Sequence, residues 1–455
     1  MCGRGNEAHD AWGSAPFSEK KEHGMAMNDA PILLTAIIPG TGGVIKTRPE
    51  DFLVEELPLY PAAGAGDHTY AVIEKRGLGT REAIDRLARA LNVQRRDIGS
   101  AGLKDTHAVT RQWISVERID PERMRGLSVA DIRVLQVTRH TNKLKPGHLA
   151  GNRFVIKLRN LTMPLDQAAR TAEQVLAILT QKGVPNYFGP QRFGNRVDNH
   201  LVGKAVIDND AERAIDLFIG RPDPRLDSDL MLQARLLYAD GRYQEALDAW
   251  PRQIMERRRI LKALVINRGN KKRAFKVMDK HLKGFFVSAY QSSVFNRVLT
   301  ARMPEIDKVL VGDMAYKHDN GACFRVEDAE AEQPRCDRFE ISPTGPLIGQ
   351  RTTHLEGPAG AIEDPILEAE GLGEDQVRQM KKLGARGGRR PLRFQPRGAT
   401  LATGTDDLGP YLELRFELPP GCYATTLIAE IAKNRLDDEP TEPNEDDPDE
   451  TGSET

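Results

Sequence analysis

The chain has 455 residues, enough for two or three domains, and its 39% hydrophobic and 29% charged residues lie in the soluble globular range. No run approaches the roughly 18 consecutive apolar residues of a membrane helix, and residues 1–30 lack the apolar core of a signal peptide. The four cysteines, at positions 2, 323, 336 and 422, fit neither a disulfide framework nor a zinc site, which favours the reducing cytoplasm.

The formal net charge of −1 conceals an uneven distribution. Residues 437–455 contain ten Asp and Glu and no Lys or Arg, so the preceding 436 residues carry a formal charge of +9. A basic folded part suits a protein that binds a polyphosphate, although a charge of this size alone selects no function. We expect residues 1–30 to be a disordered leader and residues 437–455 a disordered acidic tail.

The first part of the chain mixes strand and helix patterns. Runs of β-branched and aromatic residues predict strands at 43–56 (two short strands and a turn), 68–74, 100–103, 112–117 and 153–158. Residues 80–91 have the apolar spacing of a helix, with Thr80 as a plausible N-cap. Lys104 and Asp105 fall in the loop between two of the predicted strands.

The strongest helix pattern spans residues 165–181 and stops at Gly183. Helical patterns dominate residues 200–300, which contain basic clusters at 257–259 and 271–273. Later patterns predict strands and turns at 309–347, a helix at 376–383, a flexible basic loop at 384–390, and strands at 391–394 and 411–418. The basic clusters at 257–259, 271–273 and 381–390 are hypothetical phosphate contacts, and solvated helix faces are the alternative.

This order of elements predicts a mixed α+β fold in which one domain is inserted into another. The expected crossings between the two domains lie near residues 180 and 388. The predicted divisions are a leader (1–30), the first part of a catalytic domain (31–177), an inserted domain (178–388), the second part of the catalytic domain (389–436) and the acidic tail (437–455).

Several common catalytic motifs are missing. The Gly-rich run at 40–44 has neither the Lys-Ser/Thr of a phosphate loop nor the spacing of a dinucleotide fingerprint. The histidines and cysteines form no zinc-hydrolase or zinc-deaminase signature, and there is no Gly-x-Ser-x-Gly elbow. An enzyme with this sequence would work with carboxylate, lysine, tyrosine and positioned RNA, so we expect no metal and no cofactor.

Four segments stand out for their composition: 49–55, 101–113, 142–154 and 185–194. In the second, Gly102 permits close backbone approach, and Lys104 beside Asp105 would keep that carboxylate ionised for nucleophilic attack. The alternative is that Asp105 caps a loop and Lys104 is solvated. The third segment suits phosphate contact and base stacking, or it is a basic loop entering a strand with Phe154 in the core. The fourth is a binding surface or a tightly packed corner.

Together these motifs resemble the TruD family of pseudouridine synthases. The matching residues occur in family order over roughly residues 43–432, and no single motif is decisive. They are Gly102-Leu103-Lys104-Asp105 with Ala108–Gln112, Gly151-Asn152-x-Phe154, Asn186–Gly194, Ser288–Ser292 with Phe295-Asn296, Ile341–Leu347 and Leu418–Thr425.

The resemblance implies a mixed-sheet pseudouridine synthase catalytic domain with an inserted α+β TRUD domain. It implies conversion of uridine to pseudouridine in tRNA, usually uridine 13 of the D-arm in bacteria. It also implies Asp105 as the catalytic residue. The substrate-binding residues would be Phe52, Lys104, Asn152, Phe154 and Tyr423, with Lys46 as a further basic residue at the site. The chain departs from the family at Ala429, where Arg is frequent, and a neighbour such as Lys433 would have to substitute.

In the implied reaction, Asp105 attacks C1′ of the ribose or removes the C2′ proton to give a glycal, and the sequence does not separate these routes. The uridine must leave its helical stack, helped by stacking on Phe52, Phe154 or Tyr423. One alternative is a non-catalytic tRNA-binding chaperone, and another is a synthase acting on a different RNA. A hydrolase is the weaker alternative, and a monomer is the expected oligomeric state.

Overall fold

The computed structural model describes residues 31–434, so the predictions for the leader (1–30) and the acidic tail (437–455) lie outside the described residues. In chain order the strands are β1 (Phe52–Pro58), β2 (His68–Arg76), β3 (Ile98–Ser100), β4 (Val109–Glu117), β5 (Ile132–His140), β6 (Leu149–Arg159), β7 (Val184–Pro185), β8 (Met314–Lys317), β9 (Cys323–Arg325), β10 (Ile341–Leu347), β11 (Gly388–Pro391), β12 (Arg393–Phe394), β13 (Arg397–Asp406) and β14 (Gly409–Leu418).

The elements form two groups, each built around one sheet. The helices are named in chain order. They are α1 (Thr80–Leu91), α2 (Pro121–Arg125), α3 (Leu165–Lys182), α4 (Asn199–Ile207), α5 (Ala211–Ile219), α6 (Asp229–Ala239), α7 (Tyr243–Ala249), α8 (Met255–Ile266), α9 (Lys271–Val277), α10 (Lys280–Arg302), α11 (Ala329–Asp337), α12 (Gly357–Glu370), α13 (Glu374–Lys382) and α14 (Ala424–Ala432). The predicted mixed α+β class is confirmed.

An eight-stranded sheet forms the centre of the first group. Its order is β13-β14-β6-β1-β4-β2-β5, with β3 paired to β4, and it is mixed because β1 and β4 run parallel. Helices α3 and α14 cover one part of a sheet face, and α1 covers another part of the same face. Between these two hydrophobic clusters lies a strip of buried polar side chains, which includes Glu56, Lys75, Thr110 and Gln112.

Strand β3 is shorter than the sequence pattern suggests. Residues 100–103 were expected to form a strand, but β3 ends at Ser100. Strand β3 pairs with β4 at Ile114–Val116, and β1 occupies the same edge of β4 at Val109–Arg111. Because that edge is already taken, residues 101–108 leave the sheet as a loop.

Helix α1 has the predicted bounds, but its cap differs. The N-cap is Gly79, and Thr80 is the first helical residue. The Thr80 hydroxyl donates to Gln112 Oε1 at 2.9 Å and accepts the Lys104 backbone N–H at 2.8 Å. It therefore ties the loop that carries Asp105 to the start of α1. Helix α3 also forms as predicted, ending at Gly183.

The second group is mainly helical and contains a four-stranded sheet in the order β11-β10-β8-β9. The chain passes between the groups at β7 and β12, which pair with each other as antiparallel strands. Strand β11 extends the second sheet to Pro391. Within residues 31–434, no helix is both long and apolar enough to cross a membrane.

Most of the basic residues proposed as phosphate contacts have structural partners instead. Arg257 is buried against the Phe218 ring, and Arg258 donates to the carbonyls of Leu247 and Trp250. The expected flexible loop at 384–390 is also wrong at its end, because Arg389 lies in β11 and forms a buried ion pair with Glu363. Guanidinium groups that bind carbonyls and carboxylates in this way stabilise the fold.

His318, next to β8, is expected to make stability depend on pH. Burial, helped by Arg393 and Arg397, lowers its pKa to about 4, and its Nε2 lies 2.9 Å from Ser342 Oγ. An unfolded histidine titrates near pH 6.5, so the unfolded state binds more protons between pH 6.5 and 4. Stability should therefore fall as pH drops through this window. Urea midpoints at pH 7.5 and 5.0 should differ less for His318→Asn than for the wild type, and equal differences would contradict this account.

Candidate active site

Asp105 lies in the loop between β3 and β4 and is accessible. Its side chain is 30% exposed. Its Oδ1 accepts the His107 backbone N–H at 3.0 Å, and its Oδ2 forms an ion pair with Lys46. One carboxylate oxygen is thus oriented by the backbone and the other by a cation.

Lys46 reaches Asp105 from the segment before β1. Its backbone has φ +61°, in the left-handed region that residues other than glycine rarely adopt, and such conformations concentrate at functional sites. Its ammonium also lies 4.7 Å from the centroid of the Phe52 ring. The structure therefore brings together Lys46, Phe52 and Asp105, as the resemblance implied.

The sequence suggested that Lys104 would pair with Asp105, but its side chain has a different partner. Its Nζ lies 2.8 Å from Glu56 Oε2, and the two side chains are 5% and 1% exposed. Burial raises the pKa of Glu56, while the charge and hydrogen bond of Lys104 act in the opposite direction. Lys104 is thus a buried structural partner of Glu56, and Lys46 is the cation paired with Asp105.

A second buried lysine lies under the loop. The Lys75 ammonium donates to the Asp105 carbonyl oxygen at 3.0 Å and also to the Leu78 carbonyl oxygen. Burial lowers the pKa of Lys75 to about 8, with Asp105 acting to raise it and Lys104 to lower it further. Together with Thr80, these contacts fix the loop backbone on both sides of the Lys104–Asp105 peptide.

Asn152 and Phe154 lie on β6, on the same face of the sheet as Glu56. Asn152 is opposite Glu56 on one neighbouring strand and Leu418 on the other. The preceding Gly151 allows this close pairing, because a Cβ there would lie 2.4 Å from the Leu418 carbonyl oxygen.

Three buried polar atoms in this polar strip have no hydrogen-bond partner among the described residues. They are Asn152 Oδ1, Thr110 Oγ1 and Gln112 Nε2. Buried polar groups are rarely left unpaired, so their concentration on two strands, β4 and β6, beside the Asp105 loop marks a site for water or a polar ligand.

The rings of Phe52 and Phe154 are largely enclosed by other side chains. Phe154 packs in a stacked arrangement with Phe416 at 5.5 Å and edge-on to Phe52 at 6.2 Å. Phe52 and Phe154 are 5% and 7% exposed. Phe416 stacks on Phe154 and the Lys46 ammonium lies near the Phe52 ring, so each ring already has a partner, and stacking of uracil on either ring stays a prediction.

Tyr423 packs against a different hydrophobic cluster from the one that contains Phe52 and Phe154. It is half-buried at the start of α14 and packs against the cluster that contains Tyr187, Phe188, Phe193 and Phe295. The segment at 185–194 is therefore a tightly packed corner, the alternative left open by the sequence. The ammonium of Lys433, the suggested substitute for the family arginine, contacts Glu430 and Thr35.

Three residues that position the loop were missed at the sequence level: Glu56, Lys75 and Gln112. The first two carried a usable signal. Glu56 follows Phe52 and Val54 at strand period two, and Lys75 follows Ala71 and Ile73 in the same way, so both charged residues fall on inward positions. A charge at an inward strand position predicts a buried polar site.

The arrangement provides one accessible carboxylate, one adjacent ammonium and a rigid support. A carboxylate in this setting can act as a nucleophile or as a base. Within residues 31–434, no three His, Cys, Asp or Glu side chains come together as a metal-binding group.

Comparison with known proteins agrees with the motif resemblance. The family model described as tRNA pseudouridine synthase D (TruD) matches residues 32–431. The chain is 45% identical over 400 residues to tRNA pseudouridine synthase D of Syntrophotalea carbinolica, covering 88% of this chain and 98% of the relative. It is 46% identical over 400 residues to the protein of the same name from Geobacter sulfurreducens, covering 88% and 96%.

A solved structure shows the same architecture. The crystal structure of the putative tRNA pseudouridine synthase D from Methanosarcina mazei superposes with a TM-score of 0.78 at 28% sequence identity. The match covers 89% of this chain and 96% of that one. The likeness thus extends over both groups of elements.

Proposed function

Because this chain belongs to the TruD family of tRNA pseudouridine synthases, we propose that it converts uridine 13 in the D-arm of tRNA to pseudouridine, with the carboxylate of Asp105 reacting at the ribose. The observation that carries the proposal is the accessible Asp105 side chain, paired with Lys46 and supported by buried contacts of its own loop. Matches at 45–46% identity to relatives of that name support the choice of tRNA.

The proposed reaction rearranges bonds within one nucleotide. The N1–C1′ bond breaks, a C5–C1′ bond forms, the hydrogen on C5 leaves as a proton, and N1 takes up a proton from solvent. Asp105 adds to C1′ and is displaced when C5 bonds there, or it removes and later returns the C2′ proton. Both routes need an ionised carboxylate within reach of the sugar, and the Lys46 ammonium forms an ion pair with the Asp105 carboxylate.

We further propose that residues 31–177 and 389–436 form the catalytic domain and residues 178–388 an inserted domain, with the RNA held between them. The pairing of β7 with β12 supports this division, because it places the two chain crossings side by side. The flipped uridine would enter beside the unpaired polar atoms of Asn152, Thr110 and Gln112.

Pseudouridine mapping tests the proposal. tRNA from cells with and without this protein is treated with carbodiimide and read by reverse transcription, and purified protein is assayed on unmodified tRNA transcripts. We expect a reverse-transcription stop that marks pseudouridine at position 13. This stop should appear only when the protein is present, both in cells and with purified protein. Modification at another uridine would show a synthase with a different target, and tRNA binding without any modification would favour the chaperone.

Lys46→Met is expected to lower the single-turnover rate by roughly 10- to 100-fold, because the carboxylate loses both a counter-charge and its lateral restraint. Lys46→Arg should restore part of the rate, since a guanidinium can also pair with a carboxylate. Rates are measured at saturating enzyme on one tRNA transcript. A Lys46→Met rate equal to wild type would remove Lys46 from the site.

A further inference from the structure

Lys75 is a buried charged residue that carries out no step of the proposed reaction. It is 1% exposed and lies near the end of β2, in line with the inward-facing Ala71 and Ile73. An ammonium removed from water at such a position is costly unless its donors are satisfied. An apolar side chain would continue the hydrophobic face of β2 without that cost.

The partners of Lys75 explain its position. Its ammonium bridges two backbone carbonyls, that of Leu78 just before α1 and that of Asp105 itself, the latter at 3.0 Å. Leu78 is 2% exposed and part of the hydrophobic cluster beneath α1, so it is a firm anchor. Lys75 therefore connects the backbone of Asp105 to a buried residue between β2 and α1.

The other contacts of this loop bind different groups from the Asp105 carbonyl. The adjacent Lys104 N–H is held by Thr80 Oγ1, and the Lys104 side chain by Glu56. These contacts fix the residue before Asp105, whereas the Lys75 ammonium binds the carbonyl on the far side of the Asp105 Cα. The Asp105 carbonyl belongs to a peptide that flanks the Asp105 Cα, so the Lys75 contact acts directly on the direction in which the Asp105 side chain leaves the backbone.

We propose that Lys75 is a positioning residue for the reaction: by holding the Asp105 carbonyl it fixes where the Asp105 carboxylate meets the ribose. This inference rests on the proposed function and adds a residue to it. Lys75 touches no substrate atom in this account and acts through Asp105 alone. A small displacement of a reacting group lowers rate while leaving substrate affinity largely intact.

Single-turnover tritium release from [5-³H]uridine tRNA tests the proposal with Lys75→Met, Lys75→Arg and the control Lys283→Met. Lys283 is a half-buried lysine in α10 whose ammonium packs on Phe275. We expect Lys75→Met to lower the rate constant by about 10- to 100-fold, with unchanged amplitude and tRNA affinity within threefold. Lys75→Arg should recover part of the rate, and Lys283→Met should match wild type.

Amide hydrogen exchange supplies an independent readout, and residues 103–108 should exchange faster in Lys75→Met than in wild type. A reduced amplitude with an unchanged rate constant would show that Lys75 serves stability alone, and this result would overturn the proposal, as would unchanged exchange in the loop. If Lys75→Met does not fold, Lys75→Gln takes its place with the same expectations. Failure of the proposed function is distinct, because wild-type protein would then release no tritium.

Discussion

Asp105→Asn is expected to bind tRNA like the wild type and to form no pseudouridine. The amide has the shape of the carboxylate, and its oxygen can still accept the His107 backbone N–H. It carries no charge, so it pairs weakly with Lys46 and is a poor nucleophile and a poor base. We expect the rate to fall by at least about 10³-fold, within the range reported for removal of a group that acts directly in the reaction.

Binding and stability measurements make this result specific. The dissociation constant for tRNA should stay within threefold of wild type, and the unfolding midpoint should change little, because Asp105 is at the surface of a loop. Asp97→Asn is a matched control, since Asp97 lies just before β3 and accepts the Gln94 backbone N–H. The Asp97 variant should keep full activity. A comparable loss in both variants would point to disruption of the β3–β4 region.

Glu56→Leu is expected to destabilise the protein by about 3–5 kcal/mol, because it leaves the Lys104 ammonium buried without its counter-charge. The double variant Glu56→Leu/Lys104→Met should recover most of that loss, since an apolar pair of similar volume often replaces a buried ion pair at little cost. Urea unfolding of both single variants, the double variant and the wild type gives the four free energies. Losses that simply add would contradict a direct Glu56–Lys104 interaction.

The same double variant tests the role of Lys104 toward RNA. If Lys104 is a structural partner of Glu56, the double variant should bind tRNA within threefold of wild type. A marked loss of affinity with recovered stability would return Lys104 to the substrate-binding residues, as the motif resemblance implied. Recovery of stability tests the structural role of Lys104, and tRNA affinity tests its role in substrate binding, so the two roles are measured separately.

Short stretches of the sequence predicted those features that neighbouring residues determine, such as the bounds of helices. Helix α1 has the bounds expected from its apolar spacing, and α3 ends at the expected glycine. Asp105 lies in a loop between two strands, as the strand patterns on either side predicted. These features follow from periodicity and from residues that stop a helix, and both can be read from a short segment of chain.

The partners of the charged residues could not be predicted in this way. Lys104 precedes Asp105 in sequence, but its side chain crosses to Glu56 on β1, while the cation at Asp105 is Lys46, 59 positions earlier. Such pairings depend on the parallel alignment of β1 with β4, which is a property of the sheet. Sequence neighbours on a loop often point in different directions.

Runs of basic residues were equally ambiguous. Arg257, Arg258 and Arg389 belong to clusters that suit RNA, but their guanidinium groups meet a ring, two carbonyls and a buried carboxylate. An arginine has a long apolar stem and five donors, so it can satisfy backbone groups inside a fold as well as phosphates outside it. Composition does not distinguish the two uses.

Tritium release from [5-³H]uridine tRNA, compared between wild type and Asp105→Asn at saturating protein, tests the central claim most directly. Forming the C5–C1′ bond expels the hydrogen on C5, so release reports the chemical step itself. We predict release of about one tritium per tRNA from the target uridine with wild-type protein and no detectable release with Asp105→Asn. Release by Asp105→Asn at a rate near that of wild type would contradict the assignment of Asp105 as the reacting carboxylate.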